Sequence, residues 1–120
     1  MNNNDSLSFK PHFLAHENNG FSIQFDNKIH VSVVWHQFSY SEYGARVKKG
    51  EAQFDAYSKR VSATAEILVT AENGTPIRVD GFCQDDDVMP HLTPEKFARL
   101  LAKLAAACVE TDMKTVYILS

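Results

Sequence analysis

Residues 20–36, Gly-Phe-Ser-Ile-Gln-Phe-Asp-Asn-Lys-Ile-His-Val-Ser-Val-Val-Trp-His, constrain the fold more than any other stretch of the chain. Phe21, Ile23 and Phe25 alternate with Ser22 and Gln24; after Asp26-Asn27-Lys28 turns the chain, Ile29, Val31, Val33 and Trp35 alternate with His30, Ser32 and His36. A period of two sends successive side chains to opposite faces of a pleated strand, so each arm has an apolar face and a polar face turned to solvent. Two such arms joined by a turn make a β-hairpin, and the rest of the chain reads as what extends or covers its apolar side.

The chain has 120 residues, enough for one domain with a single core. We expect a disordered arm over residues 1–6, where polar residues have nothing to bury against the entropy of being fixed, and one α+β domain over 7–120. Residues 7–15 read as an edge strand, because Pro11 lacks the N–H that a central ladder needs. Asn18-Asn19-Gly20 marks the turn into the hairpin. Residues 61–71 return to alternation, Glu72-Asn73-Gly74 is a tight turn, and residues 75–82 carry Ile77 and Val79, so a second hairpin is expected there. The small Ala63 and Ala65 suggest a bulky neighbour, such as Trp35 or a helix. Residues 81–92 are expected to form a loop around Asp85-Asp86-Asp87.

Residues 93–109 carry the cleanest helix signal. Thr93 is an N-cap, Pro94 occupies the first helical position, and Glu95 complements the dipole. Phe97, Leu100, Leu101, Leu104 and Cys108 fall on one stripe, with Lys96, Arg99 and Lys103 opposite. At 1.5 Å per residue the helix is roughly 24 Å long, enough to lie across the hairpin. Residues 114–120 read as a last strand returning beside the sheet. The expected fold is an antiparallel sheet of about five to six strands built from two hairpins, covered on one face by a single C-terminal amphipathic helix.

Several functions are disfavoured at this level. A net charge of −3 gives no overall cationic field towards nucleic acid or anionic lipid. The polar start predicts no secretory signal peptide, no apolar run approaches a membrane span, and a cytoplasmic place of action is expected. Cys83 and Cys108 are read as reduced thiols. His30 and His36 stand roughly 20 Å apart on one strand and cannot share a metal, and His12 and His16 are separated in the same way if their segment is extended. The three aspartates lack the alternation and glycine of a calcium loop. Cys108 belongs to the core stripe, Cys83 with His91 forms no known signature, and there is no G-x-S-x-G, phosphate-cradling glycine loop or H-E-x-x-H. We therefore expect no metal, no cofactor and no enzymatic activity.

Residues 37–60 hold no period of 2 or 3.6 and read as one long loop mixing aromatics with Arg46, Lys48, Lys49, Lys59 and Arg60. Tyrosine and arginine are favoured interface anchors, so Tyr40, Tyr43, Arg46 and Tyr57 are the candidate partner contacts, with Lys48 and Lys49 steering association. The competing expectation is that these aromatics tuck into the core.

One resemblance bears on function. Residues 20–27, Val31-Ser32-Val33, Ser62-Ala63-Thr64-Ala65-Glu66-Ile67, Gly81-Phe82 and the Pro94-Glu95 helix start together resemble a group of small phage-encoded proteins of unassigned activity. The resemblance implies action in the cytoplasm of an infected bacterium, by binding a host protein as an inhibitor or adaptor, for example of a defence system. The alternative is a small-ligand binder that holds a nucleotide or metabolite in a pocket between sheet and helix. Nucleic acid ranks third as a partner, and homo-oligomerisation stays open.

Overall fold

The computed structural model describes residues 10–17, 19–52, 60–79, 81–82 and 87–107, and the backbone of residues 116–118. In chain order the elements are β1 (His12–Ala15), β2 (Gly20–Gln24), β3 (His30–Val34), α1 (Glu42–Lys48), β4 (Ala65–Thr70), β5 (Ile77–Val79), β6 (Val88–Leu92), α2 (Pro94–Ala105) and β7 (Val116–Ile118). The chain is an α+β protein with a five-stranded antiparallel sheet in the order β1-β2-β3-β4-β6, and a separate pair β5-β7. The expected arm at 1–6, Tyr57, Asp85-Asp86 and both cysteines lie outside the described residues, whereas Asp87 is described, 3.5 Å from Arg78.

The hairpin forms as its alternation requires. Phe21 faces Val33 and Ile23 faces Val31, so the apolar residues of both arms share one side. The Phe25 amide donates to Ile29 O at 2.9 Å and the Lys28 amide to Phe25 O at 3.1 Å, closing a three-residue loop with Lys28 left-handed at φ 70°. β4 adds to β3 with Val69 opposite Val31 and Ile67 opposite Val33, and Met89 of β6 lies opposite Ile67. These side chains join Ile29, Ile77, Val79, Leu100 and Leu104 in one buried cluster. Leu100 and Leu104 are one turn apart on α2, so the leucine stripe read from the sequence enters the core that the strands build.

The polar side of the hairpin departs from expectation, because Ser22 and Gln24 are buried. β1 flanks them on one side and β3 on the other, and the Gln24 amide is taken up by the turn. Its Nε2 donates to the carbonyls of Phe25 and Ile29, while Oε1 lies 3.2 Å from His30 Nδ1.

Four further expectations are corrected. Among the described residues two helices are present where one was expected, since Glu42–Lys48 is helical inside the stretch read as a loop. The second hairpin stops at a single bridge, Thr70 to Pro76, because Pro76 has no N–H with which to extend a ladder; β4 pairs with β6 instead. The expected loop at 81–92 ends in that strand, which is hard to read because Pro90 and His91 interrupt its alternation. The last strand does not return beside the main sheet: β7 runs parallel to β5, with Ile77 facing Val116 and Val79 facing Ile118.

Candidate functional site

α1 is seven residues long, too short for a periodic stripe, and its ends are specified by caps. Ser41 is the N-cap, its hydroxyl accepting from the Gly44 amide at 3.1 Å. The free amides of Glu42 and Tyr43 donate to the hydroxyls of Thr64 and Ser62, at 2.8 and 2.9 Å. At the other end the Gly50 amide donates to Val47 O and the Glu51 amide to Arg46 O, with Gly50 at φ 76°, which is a Schellman cap. The helix is thereby pinned to the segment that leads into β4.

That pinning consumes two of the candidate contacts. Tyr43 is only 6% exposed, and the guanidinium groups of Arg46 and Arg60 both lie over its ring, at 5.7 and 5.6 Å from its centroid. Arg46 pairs with Glu42 one turn back and donates from Nη2 to Val61 O at 2.8 Å. The hydrogen bond from Arg46, helped by one from the Ala63 amide, holds the Glu42 carboxyl below its ordinary range. Tyr43 is thus buried and Arg46, half-exposed, is engaged by Glu42 and Val61, whereas Tyr40, Lys48 and Lys49 are exposed.

Tyr40 sits on a short strap, residues 36–41, that is braced at both ends. His36 O accepts from the Ser39 amide and hydroxyl, His36 Nδ1 accepts from the Phe38 amide, and the buried Ser39 and Ser41 hydroxyls lie 2.7 Å apart. Across the gap to β6 the His91 amide donates to Tyr40 O at 2.9 Å. His91 can make this bond because it occupies a β-bulge with φ 54°, which turns its amide out of the ladder. Gly44 completes the fit: a Cβ there would stand 2.2 Å from Ser39 O, so only glycine lets the helix and strap approach this closely. The result is two large side chains held out into water, Phe38 at 84% and Tyr40 at 63% exposure. A groove of about 580 Å³ lies between them, Val47 and Lys48 of α1, and His91.

A second concavity, of about 350 Å³, lies at the start of α2 against the apolar side of the sheet. Phe21 meets Trp35 and Phe97 edge-on, at 6.4 and 6.2 Å between centroids, and Val33, Ala65 and Leu92 line the rest of its apolar wall. Ala63 lines it too, so the small residues at 63 and 65 share this concavity with Trp35. Its hydroxyls are engaged within the protein: Ser62 donates to Thr64 O, and Thr93 accepts from the Lys96 amide.

His30 faces Gln24 across the hairpin and Gln24 faces His12, and burial, aided by the proximity of His12 and His16, lowers the affinity of His30 for its proton. Among the described residues no group of three or more His, Cys, Asp or Glu side chains could hold a metal ion, and no helix is long and apolar enough to cross a membrane. Sequence reasoning missed Phe38, Gly44 and His91. The bracket of Ser41 and Gly50 around Glu42 and Arg46 was the available signal for α1, and Phe38 would have followed from asking what an N-cap leaves in front of it. Compared with known proteins, the chain matches no family model, no curated protein and no solved structure, so its function rests on this geometry.

Proposed function

We propose that the protein is a non-enzymatic binding protein whose contact surface is the 36–41 strap together with the adjoining groove of α1. The observation that carries this reading is the exposure of Phe38 and Tyr40 on a braced backbone. A single exposed aromatic is ordinary, but two on a preorganised strap offer a partner large contact area with little ordering left to do. Lys48 and Lys49 stand exposed on the same element and add long-range attraction for an acidic surface. In this reading α2 lies over the apolar face of the sheet and stiffens the platform behind the strap. The resemblance to small phage-encoded proteins supplies the partner class: a host protein in the bacterial cytoplasm, which the chain inhibits or recruits.

The test uses bacterial lysate passed over immobilised wild-type protein and over Phe38→Ser/Tyr40→Ser, with melting temperatures measured in parallel. A host protein retained by the wild type and lost with the variant, at unchanged melting, supports the reading; equal retention by both refutes it.

The aromatic concavity favours a second reading, in which a small ligand with a flat apolar part stacks against Phe21, Trp35 and Phe97. Trp35 is the chain's one tryptophan, so ligand entry would change its emission directly, while a protein seated on the strap would not.

A further inference from the structure

The two edges of the main sheet are finished differently. On β6, Pro90 has no N–H, the bulge at His91 interrupts the ladder, and the strap takes the His91 amide. These are the devices by which proteins keep an edge from pairing with another chain. β1 has none of them between His12 and Ala15. Its sequence is His-Phe-Leu-Ala, and Phe13 and Leu14 are 80% and 50% exposed.

The hydrogen-bonding phase of that edge follows from one bond. The His16 amide donates to Gly20 O, and antiparallel pairs alternate between bonded and non-bonded, so His12 and Leu14 direct their backbone groups to β2. Phe13 and Ala15 therefore direct their amides and carbonyls outward. Such an edge is complementary to itself in one register. When a second copy approaches antiparallel with the two-fold axis at Leu14, Phe13 meets Ala15 of the other copy as a bonded pair on each side of the axis. Every outward amide and carbonyl of β1 is then satisfied. Shifting the axis to Phe13 would set Ala15 opposite Pro11, which cannot donate.

The side chains agree with the same register. The large Phe13 stands beside the small Ala15, and the two Leu14 side chains meet at the non-bonded position, where strands lie closest. The Lys10 end of each strand comes to the Glu17 end of the other, so opposite charges meet at both ends. We propose that the protein self-associates through β1, joining two five-stranded sheets into one continuous sheet by antiparallel pairing about Leu14. The contact is short, which makes the dimer a weak one, populated at high protein concentration. It lies on the sheet edge away from Tyr40, with β1 roughly 19 Å from β6 at about 4.8 Å per strand and the strap bonded to β6, so it leaves the strap free.

Sedimentation velocity across a hundredfold concentration range should show a concentration-dependent rise from the monomer mass of 13.5 kDa towards twice that value. Leu14→Lys puts two like charges at the axis, and Ala15→Pro deletes an outward amide that β2 does not use; each should weaken association at least tenfold with melting unchanged. In a Cys83→Ser/Cys108→Ser background, Leu14→Cys should oxidise to a covalent dimer several times faster than Phe13→Cys, because only position 14 meets itself across the axis. A monomer at every concentration, association untouched by Leu14→Lys and Ala15→Pro, or equal cross-linking at positions 13 and 14 would each overturn the proposal. Phe38→Ser/Tyr40→Ser should dimerise as the wild type does, which separates this test from that of the strap.

Discussion

Asn27 joins the first half of the chain to the last, and replacing it gives a sharp test of how α2 is held. Its Nδ2 donates to Leu104 O and to Ala107 O, both at 2.8 Å, across 77 and 80 residues of sequence, and its Oδ1 accepts from the Ile29 amide at 3.2 Å. Leu104 O, which also accepts from the Ala107 amide at 3.2 Å, lies in the last turn of α2 and Ala107 O lies just past it, so this hairpin side chain acts as a cap that ties down the C-terminal end of α2. Asn27→Ala removes all three bonds. At about 0.5–1.5 kcal/mol net for each, and with water able to reach the partly buried carbonyls, the loss is about 2–3 kcal/mol. Asn27→Asp keeps the shape but reverses the chemistry: an ionised carboxylate cannot donate, and it faces the negative end of the helix dipole, adding about 1 kcal/mol. Urea unfolding followed by circular dichroism should place the Asn27→Ala midpoint about 1–2 M below the wild type, with Asn27→Asp lower still. An Asn27→Ala midpoint indistinguishable from the wild type, or an aspartate no worse than alanine, would refute the cap.

Gly44→Ala should shift the strap, because its Cβ meets the Ser39 carbonyl at 2.2 Å; we expect about 1–3 kcal/mol of destabilisation and several-fold weaker partner capture, read by melting and pull-down. Ser22 Oγ is buried with no hydrogen-bond partner among the described atoms, so Ser22→Ala should hold or raise stability by up to about 1 kcal/mol in urea unfolding, where a satisfied hydroxyl would instead show a loss. Leu100→Ala should cost about 2–5 kcal/mol and the exposed Lys96→Ala under about 0.5, and similar midpoints for the two would reject the assigned face of α2. The His30 site favours the neutral ring, so its contribution is full above the unfolded pKa of about 6.5 and is lost as pH falls from there towards the lower folded value. The fall in stability between pH 7.5 and 5.5 should therefore be smaller in His30→Gln, and an equal fall would assign the pH dependence to other groups.

What could be read from the residues was whatever depends on local period and capping. The β2–β3 hairpin and the strand at Ala65–Thr70 follow from alternation, and α2 follows from Thr93, Pro94 and its leucine spacing. α1 escaped because seven residues hold too few turns for a stripe to show, although Ser41 and Gly50 mark its ends. β6 escaped because Pro90 and the bulge at His91 break the alternation by which strands are recognised. At the candidate site the types of residue were informative and their partners were not. Tyr40 and Tyr43 look alike in sequence, yet one stands in water and the other is buried against two arginines, because Tyr43 follows the N-cap on a helix pinned to Ser62 and Thr64. That difference is set by contacts about twenty residues away, which no local pattern carries.

The parallel pairing of β5 with β7 also sets an order of events in folding. Ile77 and Val79 emerge early, but Val116 and Ile118 lie about 40 residues further on, beyond β6 and α2. At roughly 5–20 residues per second of synthesis, β5 waits about 2–8 s for that partner, far longer than the microseconds a hairpin needs to close. During that interval β2, β3 and β4 can already pair, while the short β5 follows the Thr70–Pro76 bridge, buries Ile77 and Val79, and pairs Arg78 with Asp87. The β5–β7 pair is therefore a late contact in the time course of folding. Substitutions confined to it should act mainly on the unfolding rate and leave the folding rate nearly unchanged.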